Sequence, residues 1–449
     1  MSFLKKYSSI ILTLVSVVLY FLFAYTTERT EFNKLLFLWI GLFISYFFIL
    51  RSKQLSFTYL AGIAILFRLI FFFAIPNLSQ DFYRFIWDGR MIFEGLNPYL
   101  SLPQTFIEQH NYPINQATEL YEGMGALNGS HYTNYPPINQ LCFLIAALFA
   151  KNSIIGSVVV MRVLIILADI GILHFGKKLL ERLQLPIKNI FWYILNPFVI
   201  IELTGNLHFE PVMLFFLIWA IYKLYQQKWF WSAVLLACSI SVKLIPFLFL
   251  PLFFQCFVKS DVSVFKGVRK LTLFYLVVIS TVVLLFIPFY TSELVSNYMN
   301  SVGLWFRNFE FNASFYYVAR EIGYLFRGYN EIAIIGKTIP ILTILFLLTL
   351  TFFRRNKSIK QLIVSMLFAL SFYYFFTTTM HPWYIATLLI LSVFTQYRYT
   401  VLWSLVVILS YQAYANSPWK ENLWFVALEY VLLYSFLIWE LGIKKPTQY

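Results

Sequence analysis

Apolar runs of membrane-spanning length recur along the whole chain, near residues 8–25, 34–50, 57–76, 154–176, 189–203, 210–226, 271–289, 334–353, 361–377, 400–415 and 422–441. About 20 apolar residues cross a hydrocarbon core as a helix, whereas a barrel strand needs about ten. Lipid forces every backbone polar group to find a partner inside a helix or a closed barrel. Runs of this length therefore leave one fold class, an all-α polytopic membrane protein. The composition agrees, since 60% hydrophobic and 12% charged residues lie outside the range of a soluble domain.

Three stretches need the flanking charges to be read. Residues 230–258 are too long for one crossing, and Lys228 precedes them while Lys259, Lys266, Arg269 and Lys270 follow. Cations at both ends fit a hairpin broken near Pro246. The same logic splits 361–396 at His381-Pro382, between Arg354, Arg355, Lys357 and Lys360 on one side and Arg398 on the other. Residues 138–150, if they crossed, would put Lys177, Lys178, Arg182 and Lys188 outside, so they read as a shallow helix started by Pro136-Pro137. The expectation is a bundle of about fourteen transmembrane helices, within a range of about 11 to 14, with both termini cytoplasmic. The net charge of +14 is then mostly topological. No solvated basic face remains for nucleic acid, and no such partner is expected. The first run, after Lys5 and Lys6, lacks a small-residue cleavage site and reads as an anchor. Residues 1–449 read as a single integral-membrane domain, and Cys142, Cys238 and Cys256 sit in apolar runs without metal-ligand spacing.

The acidic residues mark the other face. Asp81, Asp88, Glu94, Glu108, Glu119 and Glu122 fall in one outer loop, residues 77–137, and a second outer loop covers 290–333. Function is expected on the extracytoplasmic side. Within the first loop, Ser79 can cap a helix, Gly95 can end it and Asn97-Pro98 stops it from resuming. Helical spacing puts Asp81, Arg84 and Asp88 on one face, and Tyr83, Trp87, Arg90 and Glu94 on another. A purely structural role is an interfacial amphipathic helix with Tyr83 and Trp87 at headgroup depth. Against it stands the cost of a carboxylate so near the end of a span. Held beside arginines, Asp81 could stay ionised and accept a proton from a hydroxyl group.

Further candidates fall on the same side of this topology. Asn206, His208 and Glu210 occupy a short outer turn, where capping alone would also account for them. Lys243 sits at a hairpin bend between apolar halves, where an ammonium needs an anion or water. His381-Pro382-Trp383-Tyr384 opens a span from outside; His381 could meet phosphate and Trp383 could stack on sugar, or both could belong to the aromatic belt. Arg162 and Asp169 share a helix face and read as bundle packing, with Arg68 and Glu202 as similar boundary residues. Arg307, Arg320 and Arg327 read as a solvated part of the second loop, and the sequons at Asn128 and Asn312 are too short to carry weight. A divalent cation shared by Asp81 and Asp88 through phosphate oxygens is conceivable, but no ligand cage follows and no metal is assigned.

The run Asp81-x-x-Arg84-x-x-Trp87-Asp88-Gly89-Arg90, then Gly95-x-Asn97-Pro98-Tyr99, Tyr135-Pro136-Pro137 and Lys243-x-x-Pro246, resembles the polyprenyl-phosphate-mannose-dependent mannosyltransferases of the GT-C superfamily. The likeness covers roughly residues 57–400. It implies a GT-C-like bundle in which residues 1–56 are an added N-terminal helical hairpin and the first outer loop carries shallow helices. It further implies that Asp81 is the general base, that Arg84 and Arg90 meet the donor phosphate, and that Asp88 orients them or assists a metal. The implied partners are a polyprenyl-phosphate sugar donor, a glycan or lipid acceptor and membrane lipids, with the site on the outer face of a bacterial cytoplasmic membrane. One-step displacement of the lipid phosphate would invert the anomeric centre. A transporter or flippase of lipid-linked saccharides is the alternative, and it would show inverted repeats.

Overall fold

The computed structural model describes residues 2–259, 263–307 and 309–442, the side chains of 2–8 and 304–307 excepted. Among these residues the secondary structure is helical, and the one extended pairing is an isolated bridge between Phe311 and Thr379. Helix starts follow local chemistry. Ser56 accepts the Tyr59 N–H at 3.1 Å, Ser153 accepts the Gly156 N–H at 3.0 Å, and Ser358 with Gln361 forms a reciprocal capping box.

Among the described residues, seven helices are long and apolar enough to cross a membrane by themselves: Ser9–Thr26, Phe32–Arg51, Ile154–Arg182, Val264–Phe289, Ile332–Phe352, Ile359–Phe376 and Leu423–Gly442. The protein is a polytopic, all-α integral membrane protein. The expected count of about fourteen full crossings is corrected by the remaining apolar helices, which are 10–17 residues long. Such helices rise only about 15–26 Å, against about 30 Å of hydrocarbon. An eighth crossing arises if Val199–Gly205 and Glu210–Tyr225, bent by 111°, count as one broken span. Proline and altered turns account for the shortening. Pro246 and Pro251 lie in the 3-10 stretch Ile245–Phe253, Pro382 opens the turn before Ile385–Val393, and Val199–Gly205 is a π-helix. Irregular backbone at membrane depth is tolerated where protein encloses it. Accordingly, every residue of Val199–Gly205 and of Ile385–Val393 is buried.

The breaks in the two fused stretches fall close to the expected prolines, at 241–244 and 377–381. Pro137–Ala150 is helical, starts with proline and packs between the Asp81–Phe93 helix and Ile154–Arg182. Arg162 and Asp169 serve packing. Arg162 donates to the carbonyls of Thr204, Gly205 and Phe72, tying down the end of the π-helix, while Asp169 pairs with Arg68 at 2.8 Å.

Several turns meet at one end of the bundle. Asn77 donates to the Phe23 and Thr27 carbonyls, both at 2.8 Å, and the Leu78 N–H donates to the Asn206 side chain at 2.7 Å. The Phe311 N–H reaches the Thr378 carbonyl, and the Ile138 N–H reaches the Ser241 carbonyl. The segments that carry the candidate residues are thus stitched together by backbone contacts.

Candidate active site

The motif folds as the helix Asp81–Phe93. It starts one residue later than a Ser79 cap would place it, because Ser79 Oγ accepts the Asp81 N–H at 3.3 Å and Gln80 takes the cap position. It ends as expected, with Gly95 at φ +76° and the Leu96 N–H returning to the Met91 carbonyl at 2.8 Å. The helix does not lie on a lipid surface. Phe82, Phe85, Ile86, Trp87 and Met91 are all buried, Trp87 against Phe106. At Gly89 a side chain is excluded, since an added Cβ would sit 2.2 Å from the Phe143 carbonyl oxygen. The Pro137–Ala150 helix approaches that closely.

Two arginines of the motif brace the loop. Arg84 Nε donates to Asp88 Oδ1 at 2.8 Å, and its Nη1 donates to the carbonyls of Asn128 at 2.6 Å and His131 at 3.0 Å. Asp88 is fully buried, and its second oxygen accepts from Gln140 Nε2 at 3.0 Å. Gln140 Nε2 also reaches Thr133 at 3.1 Å. Arg90 donates to the Asn115 carbonyl at 2.6 Å and to Gln116 Oε1 at 3.1 Å. Both guanidinium groups, expected at the donor phosphate, are buried and engaged by protein. A metal shared by Asp81 and Asp88 is disfavoured by geometry, because seven helical residues separate them by about 10 Å along the axis.

Asp81 stands apart. It is half-buried at the first turn, where its carboxyl is met by the Asn128 amide, at 3.4 Å, and by the Ser79 hydroxyl. Burial raises its carboxyl above the ordinary value; the Lys243 charge and the Asn128 contact oppose that shift, and the Glu210 charge adds to it. Tyr135, Tyr384 and Tyr414 lie within reach of its charge. His131 is a poor rival as a base, since burial, aided by the Arg84 charge, pushes it down to about 4.

Opposite Asp81 lies the bend between the π-helix and Glu210–Tyr225. Glu210 is buried and pairs with Lys243, so the ammonium expected to need an anion has found a protein one. His208 is buried, with Nε2 4.0 Å from Glu202 Oε2, and Tyr411 donates to the other Glu202 oxygen at 2.6 Å. The indole of Trp383 stacks on His208 at 3.9 Å between centroids and on His381 at 4.5 Å. Two imidazoles thus stack on the ring expected to receive a sugar. Asn206 holds the turn through Leu78 and Ile201.

In the second outer loop, Arg320 pairs with Glu310 at 2.7 Å and Glu321 at 3.0 Å, and Arg327 pairs with Glu331 at 3.4 Å. The Arg307 side chain lies outside the described residues. Asn312 is fully buried, donating to Glu429 at 3.2 Å, and so is no accessible sequon. No cluster of three or more His, Cys, Asp or Glu side chains that could hold a metal occurs among the described residues.

Sequence reading passed over Asn128, Gln140, Tyr411 and Tyr414, whose partners are 47 to several hundred residues distant or on other helices. It also passed over Arg29, whose Nη2 donates to Gln80 Oε1 at 3.1 Å. No local pattern marks these residues. For Asn128 a signal existed, its place in the motif-bearing loop, but the sequon pattern was the only reading it received.

A family model described as alpha-(1->6)-mannopyranosyltransferase, N-terminal domain, matches residues 11–259. Among curated proteins none matches the chain.

Proposed function

This chain belongs to the alpha-(1->6)-mannopyranosyltransferase family, a mannosyltransferase family of GT-C type, and on that premise we propose that it moves mannose from a polyprenyl-phosphate donor to a hydroxyl group of an extracytoplasmic glycan or lipid. Membership makes it a hexosyltransferase and sets the flippase reading aside. The observation that carries the finer reading is the state of Asp81. Asp88, Glu210 and Glu202 each have a protein donor at 3.0 Å or closer, whereas Asp81 is met by the Asn128 amide at 3.4 Å and the Ser79 hydroxyl and faces the convergence of the turns.

In the proposed step, Asp81 takes the proton of the acceptor hydroxyl as that oxygen attacks the anomeric carbon. The new glycosidic C–O bond forms while the bond from the anomeric carbon to the phosphate oxygen breaks. Polyprenyl phosphate leaves with the electron pair. A carboxyl raised by burial is a better base for this purpose than an exposed one. Displacement from the far face inverts the anomeric centre, so an α-linked product requires a β-linked donor. A primary hydroxyl, as an alpha-(1->6) linkage demands, is also the least hindered nucleophile on a hexose. Arg84, Asp88 and Arg90 are then positioning residues that hold the helix carrying Asp81, and Lys243 with Glu210 sets the local field. His208, His381 and Trp383 form the wall opposite the base. The loop 77–137 lies outside the cytoplasm in this reading, where a lipid-linked sugar, rather than a nucleotide sugar, is the donor at hand.

The test is transfer from labelled β-mannosyl phosphopolyprenol to candidate mannan or glycolipid acceptors by the purified protein, with the product anomer assigned by NMR. Wild type should form an α-linkage and Asp81→Asn should not. A β-linked product would refute inversion, and equal rates in the two proteins would refute the base.

A further inference from the structure

A phosphate donor needs a cation that protein carboxylates have not already neutralised. Around Asp81 the accounting is short. Lys243 is paired with Glu210, Arg84 with Asp88, Lys34 with Glu31, and Arg320 with Glu310 and Glu321. Arg29 differs from all of them. It is half-buried, and among the described residues no carboxylate lies within ion-pair distance of it.

Arg29 is held without being neutralised. Its Nη2 donates to Gln80 Oε1 at 3.1 Å, and its guanidinium lies 4.9 Å from the Tyr414 ring centroid. Gln80 is itself fixed, since its Nε2 donates to the Met124 carbonyl at 2.9 Å, and it immediately precedes Asp81. Tyr414 lies within reach of the charges of both Arg29 and Asp81. A guanidinium offers five N–H donors, and Gln80 takes one of them. The aromatic face and the neutral amide orient the group and leave its charge intact. Beside it opens a groove of about 560 Å³ whose lining includes Thr30, Gln412, Ala415 and the mutually paired Glu31 and Lys34, so the next residue after Arg29 and the next after Tyr414 both face open space.

We propose that Arg29, presented by the turn between the two N-terminal helices, binds the phosphate of the lipid-linked substrate. This inference rests on the proposed polyprenyl-phosphate donor. An arginine fork matches phosphate oxygens in a bidentate way that an ammonium does not. Residues 1–56 then complete the site rather than decorate it: the hairpin supplies the cation, and the Asp81–Phe93 helix supplies the base.

The test combines donor kinetics with direct binding of polyprenyl phosphate, the sugar-free product, to wild type, Arg29→Gln, Arg29→Lys and Asp81→Asn in nanodiscs. Arg29→Gln should raise donor KM and weaken inhibition by polyprenyl phosphate by on the order of tenfold, with kcat changed far less. Arg29→Lys should recover part of both losses, and Asp81→Asn should bind polyprenyl phosphate as wild type does. Unchanged donor KM and inhibition in Arg29→Gln would overturn the inference while leaving the proposed function standing. Absence of both transfer and polyprenyl-phosphate binding in wild type would instead overturn the donor on which it rests. Two controls separate sources of phosphate. Competition by inorganic phosphate or by phosphatidylglycerol as strong as by polyprenyl phosphate, and equally sensitive to Arg29, would refute a donor-specific role. Should Arg29→Gln unfold, Tyr414→Leu, which removes the aromatic support of Arg29 along with ring contacts to Phe311 and Tyr411, must still raise donor KM without lowering kcat comparably, or the inference fails.

Discussion

At the start of the Asp81–Phe93 helix a carboxylate is half-buried and met only by neutral groups, the Asn128 amide at 3.4 Å and the Ser79 hydroxyl; seven residues later another is fully buried and held by Arg84 at 2.8 Å and Gln140 at 3.0 Å. The two residues share a helix, a charge and a face, yet one is tied into the loop and the other is left available. Burial of an ion is tolerable only when partners satisfy it, so Asp88 is built into the fold. A carboxyl that is desolvated but poorly satisfied has its proton affinity raised instead, which is the state of Asp81. In the proposed mechanism the first group does chemistry and the second positions it, and substitutions should pull the two apart.

The largest effect is expected from Asp81→Asn. Removing a general base typically costs about 10²- to 10⁴-fold in rate, and steady-state transfer should fall within that range with the melting temperature unchanged. A matching loss of stability would mean that Asp81 is structural after all. Asp88→Asn should reverse the pattern. It leaves the Arg84 charge buried without its counterion, a change worth about 3–5 kcal/mol when one partner of a buried pair is lost. The expected reading is a lower denaturation midpoint in detergent, with the protein that remains folded turning over close to normally. If instead stability holds and turnover collapses, the division of labour between the two ends is wrong.

Gly89→Ala probes the surface that holds the far end in place. The added methyl group would meet the Phe143 carbonyl at 2.2 Å, and backbone cannot swing aside as a side-chain tip can. Overpacking of this kind costs about 1–3 kcal/mol, so a measurable drop in thermal stability is expected. Wild-type stability would show that the two helices can separate without penalty.

The contrast also explains what could be read from the chain. The fold class followed from run length alone, because lipid leaves so few structures possible, and Gly95 and Asn97-Pro98 closed the motif helix by local backbone rules. The number of full crossings did not follow. The breaks near Pro246 and Pro382 were legible, but hydropathy does not show that the resulting pieces, or the π-helical turn Val199–Gly205, are enclosed by other helices. Spacing brought Arg84 onto Asp88, an i to i+4 pair. It could not say that two carbonyls from 128 and 131 would take up Nη1 of that guanidinium, or that His208 and His381 would both stack on Trp383. Those are long-range contacts, and composition carries no record of them.

The smallest expected effect tests the electrostatic half of the comparison. The proposed base role needs Asp81 ionised, so the rate should fall as pH drops through its pKa, which burial holds above the ordinary carboxylate value of about 3.9. The Lys243 charge pulls that pKa down and the Glu210 charge pushes it up. Lys243→Met should therefore move the acid limb of the kcat/KM profile to higher pH, because the protonated form loses a rival. Glu210→Gln should move it to lower pH. Since each substitution also frees the other member of the pair, the double variant should lie between the two. Shifts of equal sign in both single variants would mean that the limb belongs to a different group, and Asp81 would lose its claim to the titration even if its removal abolished transfer.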